Sequence, residues 1–272
     1  MKIFVLFRIP FYIRKNEYAI LKSIVLLKNK GGKNLLQVTS LTFFYNKQKI
    51  LDNINFEIMA GEVVCLAGPN GSGKTTLIKN IMNILFDDSS KITINHIENT
   101  DLKAQKMMMY LSSESYLPEF LTGKEYIHLM CKMYHITVNE PLLLKLTEYY
   151  SMGEKFNHII ESYSHGMKKK IQLIGGFLIQ PPLLIIDETL NGIDMEAREV
   201  TKELIHKYTE KGNAILLCTH DFSLVEELEA RAVLLNEGAI QYDSKEYLKE
   251  EESISKLFSS LVLKEVKQYD LD

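Results

Sequence analysis

The sequence predicts an α/β fold with a parallel β-sheet at its core, and two observations support this. Apolar stretches of strand length alternate with stretches of helical periodicity along most of the 272 residues, which is the order typical of parallel sheets. Two of the apolar stretches, at 183–186 and 214–218, contain no charged residue, as expected of strands that are covered on both faces. The hydrophobic content of 46% and the charged content of 25% are ordinary for a globular protein.

The remaining elements follow from periodicity and from turn residues. The pattern predicts strands at 35–45 and 54–58, a strand at 62–67 leading into a helix at 76–82, a helical region from about 101 to 164, helices at 167–178 and 197–208, and a terminal hairpin at 232–242. Within the helical region one stripe recurs at helical spacing, and we interpret it as a face directed toward the core. Its members are Tyr126, Leu129, Met130, Met133 and Tyr134.

Charge and cysteine content exclude several classes of function. A net charge of −3 gives no sign of a nucleic-acid-binding protein. The three cysteines, Cys65, Cys131 and Cys218, lack the spacing of a zinc or redox site, and their apolar surroundings indicate core packing in a reducing compartment. Because no 18 consecutive residues are all apolar, we predict no membrane-spanning helix.

The two ends of the sequence differ from the domain that we predict at 35–243. Residues 1–34 hold eight Lys or Arg and one Glu. This extension is compatible with a basic amphipathic helix on an anionic membrane surface, or with a leader that has no fold. Residues 244–272 are predicted to form an amphipathic helical tail.

The most specific motif is a glycine-rich loop between the strand at 62–67 and the helix that follows. It satisfies the pattern G-x-x-x-x-G-K-[ST] with Gly68, Pro69, Asn70, Gly71, Ser72, Gly73, Lys74 and Thr75. Glycines let backbone N–H groups point inward at an anion, and the helix N-terminus adds positive potential there. We expect Lys74 to reach the β- and γ-phosphates of a nucleotide and the Thr75 hydroxyl to ligate Mg²⁺.

Two acidic residues supply the second half of the predicted site. Asp187 and Glu188 directly follow the apolar stretch 183–186, at the edge of the sheet where ligands of α/β proteins bind. Asp187 is placed to join the Mg²⁺ shell, and Glu188 to activate water at the γ-phosphate. His220 follows the next apolar strand. It is interpreted either as a structural residue or as a donor to the γ-phosphate.

A third segment has the composition of an anion site. Ser164 and Gly166 precede the helix predicted at 167–178, so a hydroxyl, a bare backbone and a helix N-terminus occur together. With these residues the sequence from about 35 to 242 resembles the nucleotide-binding subunit of an ABC (ATP-binding cassette) transporter. The segment Tyr163-Ser164-His165-Gly166-Met167 matches the signature of that family, which other P-loop ATPases lack.

The resemblance implies roles for further residues. Tyr45 would stack on adenine, and Thr76 would complete the phosphate loop. The segment Asn191-Gly192-Ile193-Asp194 matches the family's D-loop, which crosses a dimer interface, and His220 matches its switch histidine. The resemblance also implies that the signature residues Ser164, His165 and Gly166 would contact the γ-phosphate bound by a second subunit.

Three positions depart from the usual pattern of the family. His165 and Met167 replace a glycine and a glutamine of the signature, a form similar to that of cassettes serving separately encoded export permeases. Ser113 stands where the Q-loop glutamine is expected and would be a weaker metal ligand. Thr189-Leu190 replaces a Pro-Thr pair, which we interpret as a packing change.

The resemblance also implies the whole function. The fold would be a P-loop NTPase (RecA-like) sheet with an antiparallel β subdomain and a helical insert at about 101–165. The cofactors would be ATP and Mg²⁺, the metal held by Thr75, Asp187 and Ser113. Two subunits, identical or different, would drive an export permease on a separate chain, from the cytoplasmic face of the cell membrane. The alternatives are a single-cassette ATPase of a cytosolic assembly and a nucleotide-binding regulator that does not hydrolyse ATP.

Overall fold

The fold is described from a computed structural model, which defines residues 33–86, 90–114, 116–219 and 221–245. The strands of this part of the chain are β1 (Asn34–Tyr45), β2 (Gln48–Met59), β3 (Val63–Ala67), β4 (Lys91–Ile94), β5 (Ile97–Glu98), β6 (Met108–Leu111), β7 (Leu183–Asp187), β8 (Ala214–Cys218), β9 (Arg231–Asn236) and β10 (Ala239–Asp243). The α-helices are α1 (Lys74–Ile81), α2 (Leu102–Gln105), α3 (Gly123–Met133), α4 (Glu140–Tyr149), α5 (His165–Ile179), α6 (Met195–Glu210) and α7 (Phe222–Glu227).

The predicted extension at 1–34 and the predicted helical tail at 244–272 lie almost entirely outside the described residues. The division into extension, cassette and tail therefore stays a prediction. Among the described residues, no helix has the length and apolar character needed to cross a membrane.

A six-stranded sheet forms the centre of the fold, in the order β10-β9-β3-β8-β7-β6. The pairs β3–β8, β3–β9, β7–β8 and β6–β7 are parallel, and only the edge strand β10 runs antiparallel to its neighbour. This confirms the predicted α/β class with a parallel sheet. Because the parallel strands end at one edge, the segments that follow β3, β6, β7 and β8 lie close together there.

Burial on both faces explains the wholly apolar strands. In β7, Leu184 and Ile186 face a core formed with α5 and α6, whereas Leu183 and Ile185 face a second core formed with α1 and the other sheet. All four side chains are fully buried. An alternating pattern would place polar groups in one of the two cores, so the strand is apolar throughout.

The second sheet is the predicted antiparallel subdomain. It has four strands in the order β2-β1-β4-β5, and the long hairpin β1–β2 forms most of it. Side chains of this hairpin, such as Leu41 and Ile54, share one core with Leu77 and Ile78 of α1. The subdomain therefore packs directly against the helix that follows the phosphate loop.

The prediction of continuous helix from about 101 to 164 is wrong in its first part. Met108–Leu111 forms β6, which pairs with β7 along the edge of the central sheet. A four-residue apolar run has the same appearance in a buried strand as in a buried helix, and pairing with β7 decides the outcome here. Helical structure beyond this strand begins at Gly123, where Thr122 and Glu125 form a capping box.

The stripe predicted on α3 is only partly buried. Tyr126 belongs to the core, but Leu129 and Met133 are 41% and 62% exposed. Ile127 and Cys131 are buried instead, so the buried face is rotated from the predicted one. The cysteines Cys65, Cys131 and Cys218 are all buried and unpaired, which confirms core packing.

Candidate functional site

The glycine-rich loop joins the end of β3 to the start of α1, and it requires glycine at two positions. A Cβ atom on Gly68 would lie 2.1 Å from the Leu235 carbonyl oxygen and 2.7 Å from the Ser72 hydroxyl. Gly73 caps α1 with a φ of 105°, in the left-handed region that favours glycine. No side chain caps this helix, so its first N–H groups are available to a ligand.

Two polar side chains of the loop suit a phosphate group. The Lys74 ammonium donates hydrogen bonds to the carbonyl oxygens of Gly68 (2.8 Å) and Pro69 (3.0 Å). The Ser72 hydroxyl is buried and has no hydrogen-bond partner within the described residues. An unpaired buried hydroxyl is energetically costly. An anion bound beside Lys74 and the free N–H groups would give the Ser72 hydroxyl an acceptor for its hydrogen bond. The other loop residues, Asn70 and Gly71, are exposed, and Thr75 and Thr76 lie in the first turn of α1.

Asp187 ends β7 and is 5% exposed. The Tyr110 hydroxyl donates a hydrogen bond of 2.8 Å to its Oδ2. Burial raises the pKa of Asp187 above its ordinary value, although the Tyr110 bond and the charges of Lys74 and Lys79 oppose the shift. A buried carboxylate whose charge is incompletely compensated is a suitable ligand for a divalent cation. A carboxylate and a hydroxyl oxygen are the donor types that fit Mg²⁺, and the Thr75 hydroxyl belongs to the first turn of α1.

Ser113 lies on the loop that follows β6. The last pair in the register of β6 and β7 is Leu111 with Ile186, so Ser113 and Glu188 each lie two residues beyond it. Ser113 is half-buried. The fold thus brings the segment that carries it to the same edge of the sheet as the acidic pair.

Glu188 directly follows β7 in an unusual backbone conformation. Its φ is 50°, in the left-handed region that non-glycine residues seldom adopt. Its N–H donates to the Cys218 carbonyl oxygen (3.0 Å), and its own carbonyl oxygen accepts from the Asn191 N–H (3.0 Å). Such conformations persist where surrounding contacts hold them, often at functional sites. The predicted role of His220 lies outside the described residues, which include its neighbour Thr219 at the end of β8.

The signature turn, residues 164–166, lies at the N-terminus of α5. The Ser164 hydroxyl accepts the Met167 N–H at 3.3 Å, and His165 is exposed. A cavity of about 410 Å³ joins this turn to the predicted D-loop. Its lining residues are Ser164, Gly166, Met167, Lys170, Gly192, Ile193 and Asp194. The Lys170 ammonium and the Asp194 carboxylate form an ion pair in it, so the fold brings these two segments together.

The phosphate loop and the signature turn lie at the N-termini of two different helices, α1 and α5. Within the described residues no hydrogen bond or ion pair joins 68–76 to 164–166. Tyr45, at the end of β1, is 44% exposed and makes an edge-to-face contact with Phe43 at 5.2 Å between ring centroids. Its ring is thus accessible to a ligand.

Sequence reasoning did not identify Tyr110 or Lys169 as parts of this site. Tyr110 is the only polar side chain in the short strand β6, and Lys169 interrupts the buried face of α5. A polar group at the end of a side chain in an otherwise buried element needs a hydrogen-bond partner. This requirement is the signal by which the sequence could have indicated Tyr110 and Lys169. The partners themselves depend on tertiary contacts.

Comparisons with known proteins agree with this geometry. The family model described as ABC transporter matches residues 51–191, which include the phosphate loop and the acidic pair. The chain belongs to the ABC transporter family. It is 31% identical over 211 residues to the uncharacterised ABC transporter ATP-binding protein YdbJ of Bacillus subtilis, covering 76% of this chain and 68% of that one.

Two further comparisons concern a relative and a solved structure. The ATP-binding protein SkfE for SkfA peptide export, also of B. subtilis, is 29% identical over 212 residues, covering 77% of this chain and 88% of that one. The structure of an ATP-binding subunit of an ABC transporter superposes with a TM-score of 0.79 at 28% identity, covering 84% and 99% of the two chains. The chain is therefore the ATP-binding and ATP-hydrolysing subunit of an ABC transporter.

Proposed function

We propose that two ABC subunits, at least one of them this chain, close over ATP and thereby drive an export permease carried on a separate chain. One observation carries the proposal. The phosphate loop and the signature turn both have the features of an anion site, yet no hydrogen bond or ion pair joins them within the described residues. A phosphate bound on the loop of one subunit would be completed by the signature turn of another. ATP would then join the two subunits.

The residues of one subunit have distinct tasks in hydrolysis. The loop N–H groups, Ser72 and Lys74 hold the phosphates, and the Tyr45 ring stacks on adenine. Thr75 and Asp187, with Ser113 at the loop after β6, hold Mg²⁺. The ion when bound neutralises charge on the phosphate oxygens.

Glu188 accepts the proton of the attacking water in this proposal. It directly follows Asp187, which ends β7, so the two carboxylates come from the same edge of the sheet. His220 donates to the γ-phosphate and holds the water in place. From the second subunit, Ser164, His165 and Gly166 contact the same phosphate, and Asp194 lies beside them at the interface.

The permease would dock beside the loop that follows β6. Tyr116 and Phe120 on this segment are 85% and 81% exposed, and exposed aromatic side chains mark surfaces that bind other proteins. Docking on such a permease would hold the subunit at the inner face of the cell membrane. The exported substrate would be a peptide, an antibiotic or a lipophilic molecule, and the relationship to SkfE, which is named for peptide export, supports the first of these.

Glu188→Gln tests the proposal. This variant keeps the size of the side chain but removes the base, so we expect the steady-state ATPase rate to fall about 100-fold or more. ATP binding should be retained, and size-exclusion chromatography should show an ATP-dependent dimer. Glu210→Gln, at the exposed end of α6, is the matched control and should behave as wild type. Undiminished turnover in the Glu188 variant would reject the assignment of the base, and the absence of any ATP-dependent dimer would reject closure between two copies of this chain.

A further inference from the structure

Three consecutive lysines in α5 contact three different segments of the described chain. Lys168 pairs with Glu119, on the loop before α3, and Lys170 pairs with Asp194 of the D-loop. Lys169, between them, contacts the turn that follows β7. Only Lys169 points at the backbone of the residue proposed as the base.

Lys169 is an unusual lysine because it is 5% exposed. Its ammonium donates hydrogen bonds to the carbonyl oxygen of Glu188 (3.3 Å) and to that of Asn191. Burial lowers the pKa of Lys169, and the negative charge of Glu188 opposes this shift. A lysine is seldom buried unless it is paired, so these contacts account for its position.

The turn from Glu188 to Asn191 has an unfavourable backbone conformation that other contacts must stabilise. Glu188 has a left-handed φ of 50°, and Gly192 just beyond has a φ of 84°. The Glu188 carbonyl oxygen accepts from both the Asn191 N–H and the Lys169 ammonium. The ammonium thus ties together the first and the last carbonyl group of a turn whose conformation is intrinsically unfavourable.

We infer that Lys169 is a positioning residue for hydrolysis, which fixes the backbone of Glu188 so that its carboxylate faces the γ-phosphate. The inference rests on the proposed role of Glu188 as base. Lys169 itself touches neither ATP nor water in this scheme. Since α5 begins at the signature turn, the same contact also links that turn to the base within one subunit.

Lys169→Met tests the inference in the full-length chain, because it keeps the length of the side chain and removes its donors. We expect kcat for ATP hydrolysis to fall about 10- to 100-fold, as for other displaced catalytic groups. The Kd for a fluorescent ATP analogue should stay within about twofold, since Lys169 lies outside the phosphate loop. Lys169→Arg restores donors to the carbonyl groups and should recover part of kcat. Lys202→Met is the control, since Lys202 pairs only with Glu199 and Glu227 among the ion pairs of the described residues.

A double variant separates this inference from the proposed function. If Lys169 acts through Glu188, adding Lys169→Met to Glu188→Gln should lower the single-turnover rate no further. If the two substitutions lowered the single-turnover rate by factors that multiply, the inference would be overturned. It would also be overturned if Lys169→Met kept the wild-type kcat while Glu188→Gln alone was inactive. Full turnover of Glu188→Gln would instead reject the base assignment itself. Should Lys169→Met fail to fold, Lys169→Leu also removes the donors with a different apolar side chain, and an unaltered kcat in it would equally overturn the inference.

Discussion

The phosphate loop and the signature turn both lie at helix N-termini and have the features of an anion site, but they are built differently. The loop is packed into the fold: Gly68 lies against the Leu235 carbonyl group, Ser72 is buried, and Lys74 folds back on the loop. The signature turn lies on the surface, with Ser164 and His165 exposed. One site is assembled within the chain, and the other is presented outward.

This difference separates binding from catalysis. A loop that is complete within one chain is expected to bind ATP without a partner, because one chain supplies both its N–H groups and its ammonium. An exposed turn that holds no phosphate of its own chain contributes only when a second subunit approaches. Affinity for ATP and the rate of hydrolysis should therefore respond to different residues.

The largest expected effect comes from disabling the two segments separately and then mixing the variants. Lys74→Met should lose ATP binding, and Ser164→Arg should bind ATP but lose hydrolysis, each with an ATPase rate about 100-fold below wild type or lower. In a mixed dimer, the intact loop of the Ser164 variant meets the intact signature turn of the Lys74 variant. Because half of randomly formed dimers are mixed and each has one working site, the mixture should recover about a quarter of wild-type activity at most.

The controls for this experiment are internal to the chain. Lys207→Met, on the exposed face of α6, should bind and hydrolyse ATP normally. If the mixture stays as inactive as its components, a homodimer with shared sites is wrong. If Ser164→Arg fails to bind ATP, the proposed independence of the phosphate loop is wrong.

Local motifs and tertiary contacts were unequally predictable from the sequence. The phosphate loop, the acidic pair and the signature turn are local motifs, so short spacings were enough to identify them. The strand β6 was mistaken for helix, because its assignment depends on pairing with β7. The same holds for side-chain partners: Tyr110 and Asp187 are 77 residues apart, and Lys169 and Asn191 are 22 apart. No local pattern encodes contacts at such separations.

Tyr110→Phe sharpens the comparison on the metal side of the site. It removes the hydroxyl that donates to Asp187, and a hydrogen bond to a charged group is worth enough to weaken Mg²⁺ binding about tenfold. Binding of ATP without metal should not change, since the phosphate loop is intact. A titration of Mg²⁺ against ATP-dependent changes in fluorescence measures both quantities.

Tyr134→Phe provides the matched control for that variant. Its hydroxyl donates to the Met108 carbonyl oxygen, on the same strand as Tyr110 but away from Asp187. Its Mg²⁺ affinity should equal that of wild type. If both variants lost the same Mg²⁺ affinity, the Tyr110 hydroxyl would stabilise the strand β6 and would not orient Asp187.

The smallest expected effect concerns Tyr45, the proposed adenine contact at the end of β1 in the antiparallel sheet. Tyr45→Ala removes an exposed ring, and the loss of one stacked base should weaken ATP binding about fivefold. Tyr45→Phe keeps the ring and should bind as wild type does. Phe44 is exposed to a similar degree, 49% against 44%, but successive side chains of a strand point to opposite faces. Phe44→Ala should therefore leave the Kd for ATP unchanged. If Phe44→Ala weakened ATP binding as much as Tyr45→Ala does, the affinity would depend on the hairpin and not on the Tyr45 ring.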